Sequence, residues 1–312
     1  MSRRVATITL NPAYDLVGLC PDITKGTVNR VQTAGLNAAG KGNNVAKVLR
    51  DLGIDVTVSG FLGRENQEGF QQFFSENNMV NRFHLVSGRT RINVKLTEKH
   101  GDVTDFNFSG FHVTPEEWNQ FVSDSLTWLG PFDMVVVSGS LPEGVTPELF
   151  SDWMIQLRQC CPCVIFDSSR EAFVAGLDAL PWLVKPNRHE LEIWAGKPLP
   201  DLNSVIDAAH ELRNRGIAHV VISLGEQGAL WANSSGAWLA KPPHCEVVST
   251  VGAGDSMVGG LVYGLLMRES SEHTLRLATA VSALTVSQSN VGIRSRTELA
   301  SMMSRIELIS VR

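Results

Sequence analysis

One pattern governs what this chain can fold into. Short, fully apolar runs alternate with stretches whose apolar residues recur at helical spacing. Residues 5–10 read as a strand, 43–52 as a helix and 55–61 as a strand. Within the helix, Val45, Val48, Leu49 and Leu52 form one stripe, and Gly53 marks its stop. Residues 67–76 place Phe70, Phe73 and Phe74 on one helical side. The rhythm continues with strands at 134–137, 164–166, 183–185 and 220–224, and helices at 147–159, 188–195, 205–215, 255–267 and 272–289. Strands that are apolar throughout must be covered on both faces, and parallel neighbours need a helix-sized crossover. The expected fold class is α/β: a three-layer α/β/α sandwich with a mostly parallel central sheet.

Composition sets the outer limits. A chain of 312 residues buries roughly three quarters of the surface that its unfolded form exposes, so it needs no disulfide or metal to fold. With 43% hydrophobic and 19% charged residues, intrinsic disorder is excluded. A net charge of −5 argues against coating nucleic acid but not against small phosphorylated ligands, which need only local positive charge. Cys20, Cys160, Cys161, Cys163 and Cys245 form an odd set without zinc spacing and read as reduced thiols. Neither a signal peptide nor an apolar run of about 20 residues is visible, so the expectation is a cytoplasmic protein with no membrane and no nucleic-acid partner.

Two regions break the rhythm. Residues 17–35 are rich in turn formers and lack a helical pattern. Arg91–Thr97 and residues 103–108 alternate with period two, and the turn Lys99-His100-Gly101-Asp102 joins them as a hairpin. Together they are expected to form a small β-sheet lid, built from about residues 12–35 and 88–110, on a single domain spanning 1–312.

Four segments can carry chemistry. Gly35-Leu36-Asn37-Ala38-Ala39-Gly40-Lys41-Gly42 nearly spells a P-loop, but Gly42 replaces the hydroxyl that holds Mg²⁺, and no strand is expected to run straight into Gly35. What remains is close backbone approach at Gly40 and Gly42, a cation at Lys41 and a helix start, which suits an anion or a polyhydroxylated ligand. A plain helix-capping turn accounts for the same residues. In Thr250-Val251-Gly252-Ala253-Gly254-Asp255-Ser256, the N–H groups of Gly252, Ala253 and Gly254 can face an oxyanion, and Asp255 can take a proton from an attacking hydroxyl. Asp255 as a simple N-cap is the alternative. Asn187 and Glu190 have the spacing both of a capping box and of a pair that organises hydrated Mg²⁺. Ser223-Leu224-Gly225-Glu226-Gln227-Gly228 reads as a turn where a strand ends, which is where open α/β sheets bind ligands.

The two glycine-rich segments, in this order and spacing and with Asn187 and Glu190 between them, resemble the signatures of the ribokinase-like (PfkB) carbohydrate kinases. The opening Asn11-Pro12-Ala13-Tyr14-Asp15, together with Ser138-Gly139-Ser140-Leu141-Pro142 and Asp167-Ser168-Ser169, is similar to the phosphosugar branch of that family. Two departures are Asn43, where an apolar residue is common, and Ser249, where many relatives carry Asp. The resemblance implies a ribokinase-like fold and a catalytic base at Asp255, with Gly252, Ala253 and Gly254 as the anion hole. It implies substrate contacts from Asp15, Gly40, Lys41, Asn44, Arg89, Arg91, Asn93 and Ser140, with Lys41, Arg89 and Arg91 taking the phosphate already on the sugar. It implies ATP contacts from Lys185, Asn187, Ser223, Gly225, Glu226, Gln227, Gly228, Thr250 and Gly254, with Glu190 ordering Mg²⁺ through water.

The implied reaction moves the γ-phosphoryl of ATP to the 6-hydroxyl of D-fructose 1-phosphate. Phosphorylation of tagatose 6-phosphate or fructose 6-phosphate is the alternative, and a non-catalytic sugar-phosphate sensor that binds a regulatory protein is a third reading. Val103, Phe106 and Phe108 give the lid strands apolar residues, read as lying on both faces. Such a strand pair is an aggregation hazard unless covered, so a homodimer through the lids is expected.

Overall fold

The computed structural model describes residues 3–99 and 103–311. In chain order the elements are β1 (Arg4–Thr9), β2 (Ala13–Leu19), β3 (Gln32–Ala39), α1 (Lys41–Asp51), β4 (Asp55–Gly63), α2 (Glu68–Glu76), β5 (Val80–Val86), β6 (Arg91–Thr97) and β7 (Val103–Asn107). There follow α3 (Pro115–Leu129), β8 (Met134–Ser138), α4 (Pro147–Cys160), β9 (Val164–Asp167), α5 (Arg170–Leu177), β10 (Leu183–Val184), α6 (Arg188–Ala195), α7 (Leu202–Asn214) and β11 (His219–Ser223). The chain ends with β12 (Ala229–Asn233), β13 (Gly236–Lys241), α8 (Ala253–Leu266), α9 (Ser271–Val286), α10 (Arg296–Arg305) and β14 (Glu307–Val311).

Among the described residues the main sheet has ten strands in the order β14-β13-β12-β11-β10-β9-β8-β1-β4-β5. It is parallel from β5 to β11 and antiparallel from β11 to β14. The central strands β8, β9 and β10 are buried throughout, and β8 (Met-Val-Val-Val-Ser) shows why: each face has a helical layer to fill. One apolar core, including Phe121, Trp153, Leu157, Phe173 and Val205, lies under α3, α4, α5 and α7. The other, including Val45, Phe70, Val258, Leu277 and Met302, lies under α1, α2, α8, α9 and α10. The α/β/α sandwich expected from the alternation is the observed fold.

Several helix starts are set by side-chain caps. Thr114 caps α3 in a full capping box with Glu117, and Pro115 follows at the first position. Asp201 caps α7, which therefore begins at Leu202, ahead of the expected residue 205. β5, α3, α5, α10 and β14 add to the elements expected from periodicity. No described helix is long and apolar enough to cross a membrane.

A second sheet has the order β3-β2-β6-β7, with β2 parallel to β6 and the other two pairs antiparallel. The structure corrects one expectation here. β3 runs through Gly35 to Ala39 and directly into α1, so a strand does lead into the glycine segment, and the small sheet extends past residue 35. The P-loop reading fails on geometry as well as on the missing hydroxyl at Gly42: Gly35 to Ala39 are extended and paired with β2, so they cannot wrap a phosphate. His100, Gly101 and Asp102 of the expected turn lie outside the described residues, while β6 and β7 pair antiparallel as a hairpin requires.

Register also sorts the small sheet's side chains. Leu36, Leu16, Val94 and Phe106 stand directly opposite one another across all four strands and share one face. Asn37, Asp15, Asn93 and Asn107 form the matching row on the other face, next to Lys95 and Asp105. The apolar character is therefore concentrated on one face rather than spread over both. Val103 lies at the edge of the polar face, and Phe108 follows β7.

Candidate active site

The polar groups converge at the C-terminal ends of the parallel strands, where two helix N-termini meet. The first belongs to α1. Gly40 is its N-cap at φ 134°, with no side-chain cap. A Cβ on Gly40 would lie 2.9 Å from Thr9 Cγ2, and one on Gly42 would lie 2.4 Å from Thr9 Oγ1. Only glycine lets this turn press onto the end of β1. The second N-terminus belongs to α8. Its N-cap is Gly252 in the left-handed region, at φ 76°, again with no side-chain cap. Asp255 is the third residue of α8 and not its cap, which removes the capping explanation for this carboxylate.

Asp255 is 6% exposed, and its Oδ2 accepts a hydrogen bond from Asn44 Nδ2 at 2.7 Å. The two N-termini are thus tied together by one side-chain contact. Burial pushes the Asp255 carboxyl up to about 6, and the charge of Asp167 adds to this, while Lys41, Asn44 and Lys185 oppose it. A carboxyl tuned this way sits close to neutrality, where a general base works best.

Asp167, at the end of β9, is the residue that sequence reading left without a role. It is 1% exposed. Its Oδ1 faces Lys41 Nζ at 3.4 Å and Lys185 Nζ at 3.5 Å. Its Oδ2 is buried without a hydrogen-bond partner. Burial raises its carboxyl, but Lys185 and then Lys41 outweigh that and hold it below the usual carboxylate range. For Lys41, burial works against the charge, yet Asp167, Asp255 and Glu190 together hold its ammonium above its usual range. Lys185 stands against the first turn of α8, since a Cβ on Gly254 would lie 3.3 Å from its Nζ. The segment Asp167-Ser168-Ser169 was visible in the sequence. Its meaning was not, because the two lysines come from positions 126 and 18 residues away.

Glu190 and Asn187 do form the capping box of α6: Asn187 Oδ1 accepts from Glu190 N at 2.8 Å, and Glu190 Oε2 accepts from Asn187 N at 2.9 Å. Glu190 is nonetheless largely buried, and its carboxyl is raised first by that burial and then by Asp167. Among the described residues no three His, Cys, Asp or Glu side chains form a metal cage. The free Asp167 Oδ2 and the nearby Glu190 suit a cation that takes one or two carboxylates and fills its shell with phosphate and water, as Mg²⁺ does.

Ser223 ends β11 beside this group, with its N–H on Pro186 O at 3.0 Å and a bridge to Asn187. Gly225, Glu226 and Gln227 form a 3₁₀ turn flanked by positive-φ backbone at Gly225 and Gly228. Glu226 and Gln227 are exposed, and Gln227 accepts from Arg188 at 2.8 Å. Thr250 is exposed just ahead of α8, its carbonyl accepting from Ala253 N at 3.4 Å.

On the small sheet, Arg91 reaches Asn11 O at 3.0 Å, Pro12 O at 3.4 Å and Ser140 Oγ at 3.3 Å. Those partners are neutral. Burial lowers its pKa and the field of Asp15 opposes that; hydrogen bonds to neutral oxygens do not cancel the guanidinium charge, which can therefore meet an anion. Asp15 is engaged by Lys95 Nζ at 2.7 Å and Asn93 Nδ2 at 3.3 Å. Arg89 stands apart: its side chain is 65% exposed and faces Glu65 at 4.0 Å.

The structure therefore brings Gly40, Lys41, Asn44, Lys185, Glu190, Gly252, Ala253, Gly254 and Asp255 around Asp167. It gathers Asp15, Arg91, Asn93 and Ser140 into a second cluster under the small sheet. Two ammonium groups and two helix N-termini can receive a highly charged anion, beside a carboxylate able to take a proton.

The model of the pfkB family carbohydrate kinases matches residues 5–298. The chain is 75% identical over 308 residues to the 1-phosphofructokinase of Escherichia coli (strain K12), covering 99% of each. It is 53% identical to the 1-phosphofructokinase of Haemophilus influenzae, covering 98% of each. Among solved structures, phosphofructokinase-2 from Escherichia coli in complex with potassium superposes with a TM-score of 0.90 at 29% identity, covering 97% of this chain and 99% of that one. The fold is ribokinase-like, and by the family model and these full-length relatives the chain belongs to the pfkB family of carbohydrate kinases.

Proposed function

We propose that the chain transfers the γ-phosphoryl group of ATP to the 6-hydroxyl of D-fructose 1-phosphate, yielding fructose 1,6-bisphosphate and ADP. One observation carries the reaction class: Asp255 lies buried in the first turn of α8, held by Asn44 and flanked by the Lys41–Asp167–Lys185 group. The full-length relatives named for 1-phosphofructokinase activity support the choice of sugar.

In this reading Asp255 orients the 6-hydroxyl and accepts its proton as the oxygen attacks the γ-phosphorus and the bond to the β-phosphate oxygen breaks. The N–H groups of Gly252, Ala253 and Gly254 receive the phosphoryl oxygens. Lys185 and Lys41 turn from Asp167 toward the phosphates, so charge lost to one partner is regained on another. That placement favours Lys41 as a partner of the transferred group rather than of the phosphate already on the sugar. Arg91 with Ser140 suits the 1-phosphate. The exposure of Arg89 and its approach to Glu65 leave it no comparable position. Asp15, Gly40, Asn44 and Asn93 address sugar hydroxyls, and Ser223, Gly225, Glu226, Gln227, Gly228 and Thr250 border the nucleotide. Asp167 and Glu190 would hold Mg²⁺, which neutralises phosphate charge when bound; Asn187, already committed to its cap, positions Glu190. The small sheet acts as a lid whose polar face closes on the sugar and excludes water.

A coupled assay of ADP release across fructose 1-phosphate, fructose 6-phosphate, tagatose 6-phosphate and fructose tests this. Fructose 1-phosphate should lead in kcat/KM by about 100-fold or more, the scale on which a site built for a charged group rejects a substrate lacking it or misplacing it. Equal rates with fructose would overturn the role of Arg91, and preference for a 6-phosphate would reverse the assignment of the sugar's two ends.

A further inference from the structure

We infer that Asp51 is a positioning residue for phosphoryl transfer. From the far end of α1 it anchors the 288–293 loop, so that Val291 seats against Gly252 and fixes the turn that aims the N-terminus of α8. The inference rests on the reading of Gly252, Ala253 and Gly254 as the anion hole.

Asp51 breaks a local rule. It is the last residue of α1, where a carboxylate meets the negative end of the helix dipole. Lys47 precedes it by four residues, the less favourable order for such a pair. A residue that works against its own helix needs a compensating contact elsewhere, and functional sites are where such violations collect. Here the contact is long-range. Asp51 Oδ2 accepts the backbone N–H of Ile293 at 2.9 Å, while Oδ1 is held by Lys47. The carbonyl of Asp51 also accepts from Arg296 at 3.2 Å.

The loop fits over this ion pair without slack. Gly292 has φ 130°, and a Cβ there would lie 2.7 Å from Asp51 Oδ2 and 3.3 Å from Lys47 Nζ. Gln288 Nε2 closes the loop from within by donating to Gly292 O at 2.6 Å. Between the two anchors stands Val291. A Cβ on Gly252 would lie 2.2 Å from Val291 Cγ2 and 3.5 Å from Asn44 Nδ2. The left-handed turn at Gly252 is therefore wedged between Val291 and Asn44. Asn44 also belongs to α1 and holds Asp255. One helix thus fixes the N-terminus of α8 twice: directly, through its first turn, and indirectly, through Asp51, the loop and Val291. Loss of the Asp51 anchor frees Val291 and loosens the N–H groups that face the transferred phosphoryl. The sugar contacts, which come from the small sheet, the start of α1 and Ser140 after β8, keep their geometry.

The test uses the full-length protein and three variants. Asp51→Ala should lower kcat about tenfold, less than the loss of a whole oxyanion donor, and raise KM for ATP several-fold, with KM for fructose 1-phosphate within about twofold. Asp51→Asn, which keeps an oxygen for the Ile293 N–H, should recover most of that loss. Val291→Ala leaves the ion pair intact and should show the same split if Asp51→Ala fails to fold. Amide hydrogen exchange should quicken over 288–293 and 250–256 in Asp51→Ala, with the lid strands unchanged. Wild-type kinetics in Asp51→Ala and Val291→Ala, an equal rise in both KM values, or no rescue by asparagine would overturn the inference. Asp255→Asn in the same assay separates the two levels. If it keeps turnover, the proposed catalytic reading of this site, with Asp255 as the base, fails; if it is inactive while Asp51→Ala behaves as wild type, only the positioning role fails.

Discussion

Asp255 shows what its position costs the fold. Its carboxyl is raised to about 6 by burial, well above its value in an unfolded chain. The native state therefore holds its proton more tightly than the unfolded state does. As pH rises through the window between the unfolded value and about 6, native stability falls, and above it the full penalty is present. Asp255→Asn removes that penalty while keeping an oxygen for Asn44. The variant should be more stable than wild type at pH 7 by on the order of 1–3 kcal/mol, with the gain vanishing toward pH 4 in urea titrations. Turnover should fall by about 10²–10⁴-fold or more. A variant no more stable at pH 7 than at pH 4 would show that the carboxyl is not buried as charge. The sequence made Asp255 visible because glycines on its N-terminal side at a helix start are a local signal. Asp167 was not visible in the same way. Its role depends on two lysines delivered by different strands and helices, and no spacing rule connects them.

At the scale of elements, the glycines inside α8 illustrate the same limit. Gly259, Gly260 and Gly264 sit in a helix interior, where glycine is unfavourable by about 1 kcal/mol each relative to alanine. The cause lies in the neighbours. A Cβ on Gly260 would lie 2.6 Å from Ala278 Cα of α9, one on Gly259 would lie 2.6 Å from Val48 Cγ1 of α1, and one on Gly264 would lie 2.5 Å from Thr274 Oγ1. The ridge lets α1 and α9 pack close on both sides of α8, which holds the N-termini of α1 and α8 in register with each other. Gly260→Val should push α9 away and destabilise the protein by about 1–3 kcal/mol, read as a lower urea midpoint. An unchanged midpoint would mean that α8 and α9 adjust freely. Periodicity located these helices to within a few residues, because their apolar stripes are wide. It passed over β5, whose Val-Asn-Arg-Phe-His-Leu-Val pattern mixes polar and apolar residues as an edge strand does. It also passed over α3, although the Thr114–Glu117 capping box with Pro115 was a usable start signal.

At the scale of the whole molecule, the small sheet presents a surface open to association. Its polar face carries Asp15, Asn93 and Lys95, and Arg91 on the same face reaches Ser140 beyond β8, so this face is turned toward the site. The opposite face presents Leu36 and Phe106 to solvent, at 56% and 48% exposure, in one row with Leu16 and Val94. A sheet that exposes such a row invites association unless something covers it. A second copy is well suited, because a two-fold axis through the lid would lay one apolar row on the other. The chain should therefore sediment as a dimer at micromolar concentration, and Phe106→Lys with Leu36→Lys should shift it to a monomer. Because neither residue lies on the polar face, the separated monomer should still bind ADP at the main site while its KM for the sugar rises, the lid having lost the support that holds it over the substrate. A monomeric wild type would remove the dimer, and a monomeric variant with an unaltered sugar KM would show that each lid closes without its partner.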